Sequence, residues 1–197
     1  CGLHHRLIAQ NGSFGAAMTD GPGQPVFALQ EYLGGAWVRL GPSDAVADLP
    51  DLGLAEYPAC YAGEHRFPLP WQALVANGFD CEHLASVHER ALLEPPTLTR
   101  TRPAVIELLY RTRPIGRGVA DRLTSLLARD GVRGHITAIN GSMMLVRGQL
   151  GDRKSFILMS FVPDRTGHTT VRAIVGVEQP GSAWGRLQAR IAARLFK

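Results

Sequence analysis

Two imidazoles and a carboxylate stand close together in the run Asn77-Gly-Phe-Asp80-Cys-Glu-His83-Leu-Ala-Ser-Val-His88, at spacings that suit a mononuclear iron site. If the run is helical, Asp80 and His83 lie three residues apart on one face, so the carboxylate reaches the imidazole or its surroundings. His88 lies five residues past His83, off that face. It joins His83 on one ion only where the helix ends or bends near Ser86. A neutral imidazole is a common ligand for Fe(II), and a carboxylate supplies the charge that holds the divalent ion. Two His and one carboxylate occupy one face of the ion and leave positions open for O2 and substrate. Such a site is catalytic rather than structural.

The pattern Asn-x-x-Asp-x-x-His-x-x-x-x-His resembles the mononuclear-iron motif of the Rieske non-haem iron oxygenases, the aromatic ring-hydroxylating and demethylating oxygenase components. Pro70-Trp71-Gln72 precedes it much as a Trp-containing strand does in that family, and Glu89 follows the second His. A second match opens the chain, where Cys1-Gly-Leu-His4 resembles the Cys-x-x-His half of a Rieske cluster site. Gly34-Gly35-Ala36-Trp37-Val38-Arg39-Leu40 resembles the strand that closes the Rieske domain. His5-Arg6 stands where the family usually has Gly-Trp, and Ala76 where an acidic residue often precedes the Asn.

The resemblance implies two cofactors, a Rieske 2Fe-2S cluster and a mononuclear Fe(II). Each iron of a Rieske cluster is held by two Cys or by two His, and each half-site gives one of each. Cys1 and His4 are therefore expected to supply one half, with a Cys-x-His half-site upstream of the chain. His83 and His88 are the expected iron ligands. The third, an acidic residue on a C-terminal helix, is expected beyond residue 197, since Trp184 to Lys197 contains no Asp or Glu. The chain thus reads as truncated at both ends, and inactive by itself. In the family the acidic residue at Asp80 hydrogen-bonds a ligand His and bridges to a cluster His of the neighbouring subunit, which implies an electron relay. Asn77 either caps or orients the helix or, as the resemblance suggests, sits near the iron. A ferredoxin, a flavin reductase or both would deliver NAD(P)H electrons. O2 would then hydroxylate or demethylate an organic, aromatic or otherwise apolar substrate, and a homotrimer is implied because each cluster serves the neighbouring iron.

Composition narrows the other classes. The 197 residues are 45% hydrophobic, enough for a substantial core. No apolar run is long enough to span a membrane and no secretory signal is visible. The net charge of +4 comes from Arg residues spread along the chain without interleaved aromatics, which argues against nucleic-acid binding. Three cysteines at irregular spacing fit a reducing cytoplasm better than a disulfide framework. Cys60 and Cys81 read as buried small hydrophobes.

The elements that must position the motif follow from periodicity. Residues 1–45 read as short strands, at Val26 to Gln30 and Ala36 to Leu40, forming the C-terminal part of a small β Rieske domain. Residues 46–58 read as a connector, and residues 59–197 as the catalytic domain. Within it Trp71 to Glu89 reads as one helical segment and Leu92 to Pro103 as a loop near the site mouth. Arg117 to Arg129 and Ser182 to Lys197 carry helical periodicity. His135 to Asn140, Ser142 to Gln149, Ser155 to Val162 and Thr169 to Val177 read as strands of an antiparallel meander. The expected class is α+β, an antiparallel sheet flanked by helices of the helix-grip, START-like kind. Met143, Met144, Phe156, Met159 and Phe161 are candidates for an apolar substrate lining. His65, His135 and His168 have no motif context. A START-like carrier of hydrophobic ligands without catalysis is the alternative, and a zinc hydrolase a third reading.

Overall fold

The computed structural model describes residues 29–33, 35–38, 51–102, 104–116, 118, 124, 126, 130–178 and 185–190. Cys1, His4 and the first expected strand up to residue 28 lie outside them. The chain divides into two compact units, Cys1–Gly53 and Leu54–Lys197. In the first, β1 (Leu29–Tyr32) and β2 (Gly35–Val38) form an antiparallel hairpin with Leu29 opposite Val38. The Trp37 indole N–H donates to the Tyr32 carbonyl at 3.0 Å and ties the strands together.

The second unit is an antiparallel sheet with helices, of the α+β class. Its strands are β3 (Ala59–Phe67), β4 (Arg90–Leu92), β5 (Thr97–Arg102), β6 (Val105–Pro114), β7 (Val132–Ile139), β8 (Met143–Leu150), β9 (Arg153–Pro163) and β10 (Thr169–Val177). Between β3 and β4 lie α1 (Trp71–Gly78) and α2 (Cys81–Ser86). The eight strands run β3-β10-β9-β8-β7-β6, with β4 and β5 both paired to β6. The expected meander is therefore present as β7 to β10, each strand opening within three residues of its expected start.

Short turns set the register. Asn140 and Gly141 connect β7 to β8 with φ of 51° and 68°, left-handed values that these two residue types tolerate. A Cβ on Gly141 would lie 2.8 Å from the Trp71 ring, so this turn also receives the first residue of α1. The β9–β10 turn is built on Asp164. Its carboxylate accepts from the Thr166 hydroxyl at 2.6 Å, from Arg66 at 2.5 Å and from the Thr166 and His168 backbone N–H groups at 2.8 and 3.1 Å.

The sheet is buried on both faces at its centre, and strand parity decides which residue goes where. Leu108, Ile136, Met144 and Phe161 point to one face and pack against Trp71, Leu74, Val75 and Phe79 of the helical segment. Leu145 and Leu158, cross-strand partners in β8 and β9, point to the other face and are 1% and 0% exposed.

Two expectations need correction. Trp71 to Glu89 is two helices, because Asp80 has an extended backbone (φ −80°, ψ 101°) and starts α2 as its N-cap. Leu92 to Pro103 is largely strand: after Pro95 and Pro96 the alternating Thr97 to Arg102 pairs with β6 as an edge strand, exposed throughout. Its Pro, Thr and Arg content marked it as a loop, but charged residues on such an edge discourage pairing with another chain. Of the expected helix Arg117 to Arg129, Gly118, Thr124 and Leu126 are described, the first a bend and the other two helical, and within Ser182 to Lys197 residues 185–190 are helical.

The Thr166 hydroxyl, and after it Arg66, hold the Asp164 carboxyl well below the usual carboxylate range. A carboxyl with a lowered folded pKa stabilises the fold above its unfolded value near about 4, and that contribution is lost as the pH falls below it. Carboxyl NMR should find Asp164 still ionised at pH 3, and Thr166→Ala should raise its midpoint.

Candidate functional site

The site residues sit on a segment whose geometry is set locally. Pro70 precedes α1 with φ −67° and ψ 148°, and its carbonyl accepts from the Ala73 N–H at 3.1 Å. Trp71, Leu74, Val75 and Gly78 recur at helical spacing and face the sheet, while Gln72, Ala73 and Ala76 are exposed. Gly78 lets the helix approach closely, since a Cβ there would lie 2.7 Å from the Met144 methyl. The chain then leaves the helix at Phe79 and restarts one residue later.

The restart is capped. Oδ1 of Asp80 accepts the Glu82 N–H at 2.9 Å and the His83 N–H at 3.2 Å, two of the donors that the first turn of a helix leaves without partners. α2 stops after Ser86, with the Val87 N–H donating to the His83 carbonyl at 2.9 Å. Glu89 then takes φ 49° and turns the chain into β4, its carbonyl accepting from the Ile115 N–H at 2.8 Å.

This early stop brings the two imidazoles together. The rings of His83 and His88 lie 4.9 Å apart between centroids, edge to face at 80°. On a continuous helix they would point in different directions; here the helix end swings His88 back. His83 is half-buried, and His88 and Asp80 are exposed. Among the described residues no three His, Cys, Asp or Glu side chains are grouped closely enough to hold a metal ion. The donor set this structure offers is therefore an imidazole pair. It suits a borderline divalent ion that takes imidazole nitrogen and completes its coordination with oxygen ligands.

Asn77 has two relations. Its carbonyl accepts from the Asp80 N–H at 3.3 Å, and the residue lines a cavity of about 240 Å³ between α1 and the sheet. That cavity is walled by His65 and Phe67 of β3, by Leu74 and Gly78 of α1, and by Met144, Val146, Met159, Phe161 and Val171 of the sheet. Three of the five expected lining residues are present. Met143 and Phe156 are corrections: their parity places them on the opposite face, where they are 9% and 1% exposed. His65 is the residue that sequence reasoning missed. The available signal was the alternation in β3 that puts it on the same side as Phe67, whose ring lies 6.4 Å away.

Two half-buried titratable groups lie in and beneath the helices. Burial, and secondarily the Asp80 carboxylate, pushes the Cys81 thiol up, and burial with Cys81 nearby pushes the Tyr110 phenol up. Both stay protonated near neutrality and behave as packing groups. Cys60 and Cys81 are half-buried against the two hydrophobic clusters. His168 belongs to the Asp164 turn, its Nδ1 lying 2.9 Å from the Thr166 hydroxyl, and His135 lies 3.7 Å from Glu107.

A larger cavity, of about 520 Å³, opens on the other face of the sheet and is lined by Arg111, Arg133, Arg147 and Lys154 with Glu94 and Glu178. Arg111 pairs with Glu94 at 3.1 Å and Arg147 with Glu178 at 3.2 Å. Its walls are ionic, and parity separates it from the helical motif.

No family model and no curated protein matches the sequence. Solved structures do. Dicamba monooxygenase bound to dicamba superposes with a TM-score of 0.65 at 15% identity, over 99% of this chain and 63% of that one. The Pseudomonas putida CBB5 NdmA QL mutant with caffeine gives 0.60 at 16% identity, over 100% and 59%. A quaternary ammonium Rieske monooxygenase, whose structure is described as informing carnitine oxidation and inter-subunit electron transfer, gives 0.58 at 12% identity, over 98% and 57%. The fold is that of the Rieske non-haem iron oxygenases. The chain spans about three fifths of the length of these Rieske oxygenases.

The cap makes a local prediction. Asp80→Ala should cost about 1 kcal/mol in urea unfolding through loss of the N-cap, whereas Asp80→Asn, an equally good cap, should leave the midpoint nearly unchanged.

Proposed function

We propose that this chain carries the mononuclear-iron region of a Rieske-type oxygenase that hydroxylates or demethylates an organic, mostly apolar substrate. The observation that carries this reading is the approach of the His83 and His88 rings to 4.9 Å at the end of α2, on the fold of the Rieske oxygenases. His83 and His88 would hold Fe(II), with an acidic third ligand. Bound there, Fe(II) would supply O2 activation next to the substrate. A 2Fe-2S cluster, half of whose ligands Cys1 and His4 would provide, would supply the electrons.

The roles of this chain's own residues follow from their contacts. Asp80 fixes the start of α2 and so the direction of His83. Its carboxylate is exposed, open to a histidine of a neighbouring subunit, which is the relay role we assign to it. Asn77 carries its amide toward the cavity. Met144, Val146, Met159 and Phe161 form an apolar wall that excludes water around the substrate. In this reading residues 1–45 are the end of the Rieske domain, 46–58 the connector and 59–197 the iron domain. A ferredoxin or flavin reductase feeds the cluster. The assembly is a homotrimer and works in the cytoplasm on aromatic compound catabolism; among the described residues no helix is long and apolar enough to cross a membrane.

Metal binding separates this from a ligand carrier. An anaerobic Co(II) titration of the chain should give visible bands of imidazole ligation. His83→Ala and His88→Ala should each weaken binding at least tenfold, because one imidazole cannot replace two. Asp80→Asn should keep most of the affinity. Co(II) binding unchanged in both alanine variants would remove the iron reading.

A further inference from the structure

We propose that the cavity between α1 and the sheet selects an uncharged substrate the size of a single substituted ring, and that His65 of β3 and Asn77 of α1 orient it. This rests on the oxygenase reading and adds a substrate class to it.

Three observations converge. First, among the described residues, none of the eleven that line the cavity is Asp, Glu, Lys or Arg. A carboxylate or ammonium seated against such walls gains no counter-charge. The nearest permanent charges on β3 do not remedy this. Glu64 and Arg66 have the opposite parity to His65, and they pair away from the cavity with Arg172 at 2.9 Å and Asp164 at 2.5 Å.

Second, about 240 Å³ corresponds to roughly eight water molecules at about 30 Å³ each, room for one ring and a short substituent. Third, among the described residues the polar ones of the lining come from two different walls, His65 from the sheet and Asn77 from the helix. Both offer a donor and an acceptor, so together they bind a group such as an amide, a hydroxyl or a carbonyl. The Phe67 ring, tilted 51° to that of His65, closes the β3 side with an apolar surface. His65 is thus a specificity-determining residue.

The test uses the chain with its methionine methyls labelled with carbon-13, read by NMR at pH 8. Benzamide and benzoate have the same shape and differ in charge; toluene lacks the polar group. Benzamide should shift the Met144 and Met159 methyls, with a Kd at least tenfold lower than that of benzoate. Met143, on the opposite face, should not move. His65→Phe should raise the benzamide Kd at least fivefold while leaving that of toluene within twofold, a split that a merely structural role would not produce. Benzoate binding as tightly as benzamide, the absence of any shift at Met144 and Met159, or equal weakening of benzamide and toluene by His65→Phe would each overturn the proposal. The Co(II) titration stays separate. Loss of cobalt binding with intact benzamide selectivity counts against the iron reading alone, and the reverse result counts against the cavity proposal alone.

Discussion

Backbone N–H groups at the start of a helix have no partner within it, and one carboxylate oxygen of Asp80 takes two of them. The geometry of the motif depends on that cap. It allows the chain to leave α1 at Phe79 and begin a second, differently directed helix without stranding donors. It also fixes His83 at the third position of α2, with its own N–H bound by the cap. Asp80 therefore acts on His83 through the backbone in this chain, whatever its carboxylate does toward a neighbour. The short α2 then ends where Glu89 turns left-handed, and His88 falls beside His83. A continuous helix through this segment would bury the same apolar residues and separate the imidazoles.

Strand parity divides the chemistry of the sheet. Neighbouring residues of β8 serve opposite ends: Met144 and Val146 wall the apolar cavity under α1, whereas Arg147 and Gln149 line the ionic cavity on the other side. On the ionic face Arg111 is paired with Glu94 and Arg147 with the largely buried Glu178. The apolar face packs against Trp71, Leu74 and Val75 of α1.

Much of the fold was legible because it is written in alternation. β7 to β10 follow one another with short turns of Asn-Gly, Gly-Asp and Asp-Arg-Thr-Gly, so periodicity and turn chemistry agree. The motif pair was legible from spacing, including the condition that the helix end near Ser86. Composition misled at Thr97 to Arg102, where an exposed edge strand has the residues of a loop. The lining was half legible: Met143 and Phe156 are apolar neighbours of true lining residues, and only the strand register tells the faces apart. The helix break at Asp80 competes with a helical periodicity that runs through it, and a capping side chain wins by satisfying donors. Alternation in β3 put His65 on the side of Phe67, but its place on the cavity depends on pairing with a strand far along the chain.

That last point sets the character of the site. The imidazole pair is a local construction, made by a cap, six helical residues and one left-handed turn. The cavity between α1 and the sheet is not local. β3, the first strand of its unit, lies beside β10, the last of the meander, with His65 opposite Val171 and Gly63 opposite Ala173. The β3 wall therefore forms only when the sheet is complete, and its chemistry is set by register. A slip of one residue in β10 would turn Arg172 toward α1 in place of Val171 and Ala173, exchanging an apolar wall for a cation. The bulge between Ala173 and Ile174 leaves Ala62 extra in β3, so the strand reaches the cavity with His65 and Phe67 inward and Glu64 and Arg66 outward. The segment thus joins an imidazole pair that a few neighbouring residues specify to a cavity that the whole sheet must specify. Changes in β3 and β10 should alter what the cavity accepts without moving the two histidines.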